Sequence, residues 1–141
     1  MKRAHSISMK DTGIIINVSL GILLTMVCAF LLSILLTVLV ENERIQISGI
    51  SVCLYGIHAI SVFIGTLLSL TLEKERLAII AGIVAAAYFV ILISINMLVF
   101  SSGFEGVIGT AAGIFAGGAL SVLLKVKTSA GKRHKVKLRP R

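Results

Sequence analysis

The chain has 141 residues, 57% of them hydrophobic, with a mean hydropathy of +1.03 and a formal net charge of +8. Charged residues make up 14% of it, against about 25% in soluble domains, and most of them sit at the two ends. This excludes an ordinary water-soluble domain, and two cysteines without CxxC or Cys/His spacing point to neither a disulfide framework nor a metal site.

Between Ile14 and Leu124 the only charged residues are Glu41, Glu43, Arg44, Glu73, Lys74, Glu75, Arg76 and Glu105. They form three short clusters that divide the sequence into four apolar runs. About 20 apolar residues at about 1.5 Å rise cross a hydrocarbon core of about 30 Å. The runs predict four membrane-spanning helices near residues 14–40, 47–72, 77–100 and 106–124. The expected fold is all-α, an integral membrane four-helix bundle with short loops. A cytoplasmic segment precedes it at 1–13 and a basic cytoplasmic tail follows at 125–141. A soluble helix needs a polar face, and none of these runs has a charged one.

The first run follows a basic Met1-Lys2-Arg3 start but far exceeds the roughly 7 to 15 apolar residues of a signal peptide, and no small-x-small cleavage pattern follows. It reads as a retained span. Gly21, Ala29 and a few serines and threonines are scattered along an otherwise bulky helix, which predicts that it faces lipid while the other three form the core.

The second run carries Ser61, Gly65 and Ser69 at four-residue spacing. It also carries His58, the only ionisable side chain expected near mid-membrane, on a face reading Ser51, Tyr55, His58, Val62, Gly65, Ser69. Intramembrane ionisable residues are functional candidates by default. An imidazole, with its ordinary pKa of about 6.5, suits proton relay. The competing reading is a histidine that hydrogen-bonds a neighbouring helix through Tyr55, Tyr88 or a serine. No carboxylate joins it in the membrane, since Glu41, Glu43 and Glu105 fall at one surface. Tyr55, His58, Tyr88 and Asn96 make up the candidate polar site.

The third run has Ala78, Gly82 and Ala86 at four-residue spacing, with Ala81 and Ala85 beside them. The fourth places Gly109, Gly113, Gly117 and Ser121 on one ridge, flanked by Ala112, Ala116 and Ala119. Lipid tails are as apolar as leucine, so helices associate in a bilayer by close packing, which small residues permit. Gly82, Gly109, Gly113, Gly117 and Ser121 are therefore expected at helix–helix contacts, within one chain or between copies.

In the tail, Lys125 and Lys127 can snorkel to the interface. Lys132, Arg133, Lys135, Lys137, Arg139 and Arg141 alternate with Val136, Leu138 and Pro140, which suggests an extended strip adhering to an anionic inner leaflet. No aromatic residue stands among these charges to stack on bases, so nucleic acid is not the expected partner. Basic residues in short loops favour the cytoplasmic side. Placing both termini there puts every Lys and Arg except Arg44 inside.

The chain resembles the YrzE-like family of small four-span membrane proteins of Gram-positive bacteria over roughly residues 10 to 124. The resemblance rests on Ser61-Val62-Phe63-Ile64-Gly65, the charged turn from Glu73 to Arg76, Ala81-Gly82-Ile83-Val84 leading to Ala87-Tyr88-Phe89, and the glycine-rich fourth span. It implies a bacterial plasma-membrane protein with no assigned activity, and carries over no functional residues. Small multidrug exporters share the size and span number but have an acidic residue in the first helix. Here that helix offers only Asn17, Ser19, Thr25, Ser33 and Thr37.

No Ser/His/Asp set, phosphate-cradling glycine loop or metal-ligand cluster is present, so neither an enzyme nor a cofactor is expected. The leading expectation is a structural or accessory membrane protein that packs with itself or another membrane protein. The alternative is a small oligomeric transporter or channel with a polar path near His58.

Overall fold

Four apolar helices account for nearly all of the described residues. The computed structural model describes residues 2–72, 76–100 and 106–136, with side chains for 13–46, 48–72, 76–98 and 106–129. Helix α1 runs Lys2–Glu41, α2 Ile50–Leu72, α3 Leu77–Phe100 and α4 Val107–Val136, with a 3₁₀ turn at Ile47–Gly49 before α2. Each contains a stretch long and apolar enough to cross a membrane: Gly13–Glu41, Ile50–Leu72, Leu77–Leu98 and Val107–Ser129. At most 28% of any of these windows is buried inside the protein. Most of the apolar surface therefore faces outward, as it must when lipid rather than water is the solvent. The chain is a multi-pass membrane protein.

The helix ends follow from local chemistry. α1 stops in a Schellman arrangement, where Glu43 adopts a left-handed φ of 55°. Its N–H bonds to Val40 O, and the Arg44 N–H reaches back to Leu39 O at 3.0 Å. Arg76, at φ 57°, precedes α3 and accepts the N–H groups of Ile79 and Ile80. Gly106, at φ 82°, turns the chain into α4. Connectors this short make α1 and α2, α2 and α3, and α3 and α4 antiparallel neighbours. The α1–α2 and α3–α4 connectors thus share one end of the bundle, and the α2–α3 connector lies at the other.

Helix α2 touches all three other helices, and glycines set how closely. A Cβ on Gly65 would meet Thr25 Oγ1 and stand 2.5 Å from Gly21 O; one on Gly21 would meet Ser69 Oγ and stand 2.9 Å from Gly65 O. The two backbones are thus pressed together, and Ser69 Oγ donates across the contact to Asn17 O at 2.9 Å. The first helix is therefore not a purely lipid-facing element, contrary to the expectation from its bulk. Val18, Gly21, Thr25, Ala29 and Leu36 form a buried stripe, while Phe30, Leu31 and Leu23 face outward.

The ridge on α4 meets α2 in the same way. A Cβ on Gly109 would lie 2.6 Å from the Tyr55 ring, and one on Gly113 2.8 Å from Tyr55 O. At Gly117 it would run into Ala59 O. Ser121, fully buried, donates to Gly118 O. Gly109, Gly113 and Gly117 are thus occupied within one chain.

Gly82 differs: a Cβ there would meet nothing within 4 Å. α3 packs inward through Ala81 and Ala85, which lie under Gly118 of α4, and leaves Ala78, Gly82 and Ala86 exposed. Among the described residues nothing meets the expected packing role of Gly82.

Among the described residues two apolar clusters fill the interior. Val18, Leu70, Ile80 and Val84 form one, and Ala29, Val62, Ala85, Tyr88 and Ile114 the other. α4 continues to Val136, so residues 132–136 are helical rather than extended. Lysine and arginine are good helix formers, and a span already folded removes the cost of nucleation. The side chains of Lys132, Arg133 and Lys135, and residues Lys137, Arg139 and Arg141 altogether, lie outside the described residues.

Replacing Gly21 by alanine is expected to lower stability in detergent by about 1–3 kcal/mol, as overpacking does. Ser69→Ala in the same background should recover part of that loss, because Ser69 Oγ is the nearest obstacle. Denaturant titration of the two single variants and the double variant checks this, and additive losses would show that the helices are not in contact there.

Candidate functional site

His58, Gly65 and Ser69 lie on one face of α2 at helical spacing. Where that face carries glycine and serine, α1 lies directly on it. Where it carries the bulkier His58, α1, α2 and α3 leave a cavity of about 780 Å³ between them. Met26, Ala29, Phe30 and Ser33 line it from α1, Leu54 and His58 from α2, and Tyr88, Ile91, Leu92, Ile95 and Asn96 from α3. Phe30 and Ile95 are exposed, so the cavity opens on the apolar surface between α1 and α3. It lies in the half of the bundle toward the α1–α2 connector.

His58 and Tyr88 form the polar element of this space. The His58 Nδ1 and the Tyr88 hydroxyl oxygen are 2.9 Å apart, a hydrogen bond between α2 and α3. Their ring centroids are 6.0 Å apart and tilted by 53°. Tyr88 is buried, and its ring belongs to the cluster with Ala29, Val62, Ala85 and Ile114. The phenol body thus packs in the core while its hydroxyl serves the imidazole, as buried tyrosines commonly do.

Of the three partners expected for His58, Tyr88 is the one it meets. Tyr55 turns elsewhere: its ring covers Gly109 and its hydroxyl lies beside Gly106, so it belongs to the α2–α4 contact. Asn96 lines the cavity about two helical turns from Tyr88. Ser33, on α1, is a lining residue that sequence reasoning noted only as a polar choice.

Most of the other buried hydroxyls serve the backbone. Thr25 donates to Gly21 O at 2.8 Å, and Ser61 to Ile57 O at 2.7 Å. Such bonds to carbonyls one turn back are the usual way helices in lipid satisfy short polar side chains. Thr66 Oγ1 is buried without a hydrogen-bond partner among the described residues. Cys28 and Cys53 are partly buried free thiols. Among the described residues no three His, Cys, Asp or Glu side chains come together as a metal site would require.

The cavity ends at the His58–Tyr88 level. Beyond it, the Gly21–Gly65 crossing and the Val18, Leu70, Ile80 and Val84 cluster fill the interior. The arrangement can hold a mostly apolar molecule and offer it hydrogen bonds at the inner end. No family model matches the chain, and neither does any curated protein or solved structure.

A double-mutant cycle on His58→Leu and Tyr88→Phe should give a favourable coupling of about 0.5–1.7 kcal/mol, the range for hydrogen bonds between membrane helices. Equilibrium unfolding in mixed micelles measures it. A coupling of zero would mean that the two helices do not exchange this bond.

Proposed function

We propose that the protein is a structural or accessory component of its membrane, packing with a second copy or with another membrane protein. One observation carries the reading: small residues that no described part of the bundle covers are presented to the lipid. Ala78, Gly82 and Ala119 are exposed along a groove of about 420 Å³ between α3 and α4, whose floor is Ala81, Ala85 and Gly118. Ala86, Ala112 and Ala116 extend the exposed small-residue surface. Exposed positions elsewhere on the spans are mostly Ile, Leu, Phe, Val and Met, with Ser19, Thr37, Gly56 and Ser94 scattered singly among them. Here the alanines and glycine are clustered, and such a cluster favours a helix that approaches closely.

The transporter alternative has less support. Among the described residues the polar site occupies one half of the bundle, and beyond it the Gly21–Gly65 crossing and the cluster of Val18, Leu70, Ile80 and Val84 fill the space between α1, α2 and α3.

In this reading the membrane is the bacterial plasma membrane and both termini are cytoplasmic, supported by the concentration of Lys and Arg at the chain ends. The YrzE-like resemblance agrees with that placement. Lys125 and Lys127, with the basic residues that follow, then contact anionic lipid of the inner leaflet.

A cysteine at Gly82, in a Cys28→Ala, Cys53→Ala background, is expected to cross-link in native membranes under mild oxidant. A cysteine at Phe30, on the exposed part of α1, should remain monomeric. Equal yields at the two positions would remove the support for a specific face. A proton or ion flux in reconstituted vesicles, abolished by His58→Ala, would overturn the accessory reading.

A further inference from the structure

We infer that the cavity between α1, α2 and α3 is a binding site for a neutral, lipid-soluble alcohol, its hydroxyl seated on His58 and Tyr88. The inference does not rest on the accessory reading, because the cavity lies on a different surface from the α3–α4 groove.

Three features define the ligand. The first is size: about 780 Å³ falls within the roughly 300–1,000 Å³ of small-molecule sites. The second is the wall, which apart from Ser33, His58, Tyr88 and Asn96 consists of aliphatic, aromatic and methionine side chains. A body of aliphatic or ring carbons is complementary to it.

The third is the absence of charge among the described residues of the wall. None of them is a lysine, arginine, aspartate or glutamate, so beside them a carboxylate, phosphate or ammonium headgroup would lose its hydration without gaining a counter-ion, at a high cost. Phospholipid headgroups and ionised fatty acids are thereby disfavoured.

The hydrogen-bonding pair then selects among neutral ligands. If the Tyr88 hydroxyl donates to Nδ1, the ring keeps its proton on Nε2, and the pair offers an N–H donor and the phenol oxygen as acceptor. If Nδ1–H donates to the phenol oxygen, the pair offers the phenol O–H as donor and Nε2 as acceptor. In either tautomer one donor and one acceptor remain. A hydroxyl, which both donates and accepts, satisfies both. An ether or ketone satisfies only the donor, and a hydrocarbon satisfies neither.

Entry requires no gate, since the cavity opens between α1 and α3 on the apolar surface. A ligand dissolved in the bilayer reaches it laterally, its body along Phe30, Ile91 and Ile95 and its hydroxyl toward the bundle interior. That orientation is inverted relative to a surrounding lipid. It separates a bound alcohol from an acyl chain merely filling the space.

The experiment uses the full chain in nanodiscs of phosphatidylcholine and a dodecanol bearing a diazirine as the photoreactive probe. Labelling is expected to be saturable and to map by mass spectrometry to α1 around Met26–Ser33 and α3 around Ile91–Asn96. Competition should rank 1-dodecanol first, dodecyl methyl ether about fivefold to tenfold weaker, and dodecane weaker still. Tyr88→Phe should narrow the gap between alcohol and ether. The ligand series on the unaltered chain gives the answer even if that variant does not fold. Labelling that does not saturate, or equal competition by alcohol, ether and alkane, would overturn the proposal and leave a groove filled by ordinary lipid chains.

Discussion

The close approach of backbones around α2 is the constraint on which this structure depends. In water, burial of leucine and valine would draw helices together. In lipid that driving force vanishes, and attraction must come from contact at short range and from hydrogen bonds. The protein meets that requirement at two crossings. On one, Gly21 and Gly65 each lie against the other's carbonyl oxygen across α1 and α2; on the other, Gly109 of α4 sits on the Tyr55 ring, Gly113 on Tyr55 O and Gly117 on Ala59 O. Each glycine costs roughly 1 kcal/mol in helix propensity, offset by the contacts that a Cβ would forbid.

The polar chemistry follows from the same geometry. Where α1 lies flat on α2, short hydroxyls fit: Ser69 bridges to Asn17 O and Thr25 returns to Gly21 O. Where the face of α2 changes from glycine to histidine, the helices leave the cavity, and Tyr88 on α3 reaches in to His58. Packing and site are thus one pattern along a single face, small residues closing one half of the bundle and an imidazole occupying the other. The α3–α4 surface lies apart from both, its small side chains open to whatever approaches through the lipid.

Much of this was legible in the sequence, and its limits have a physical cause. The four helices were readable because hydropathy and charge clusters depend only on composition along the chain; the structure begins α2 at Ile50 and α4 at Val107, close to the expected ends. The glycine ridge on α4 was readable as a ridge. Spacing, however, does not fix which way a face points. Gly82 shares the four-residue period of Gly113 yet faces outward. Gly21, Thr25 and Ala29 have the same period among bulky residues and form the α1 contact, a signal present in the sequence but outweighed there by their neighbours. His58 had three plausible partners, and only the relative rotation of α2 and α3 selects Tyr88 while sending Tyr55 to α4. The helical continuation to Val136 was obscured by alternating charges, which describe a solvated strip as well as the end of a helix.

The account's central claim is that backbone proximity, rather than helix propensity, governs the glycines facing α2. Measuring the unfolding free energy of Gly117→Ala and Gly82→Ala in the same detergent tests it most directly. Alanine is the better helix former at both positions. The account predicts opposite signs: Gly82→Ala neutral or stabilising by up to about 1 kcal/mol, and Gly117→Ala destabilising, because its methyl group would run into Ala59 O. Equal stabilisation at both positions would contradict it.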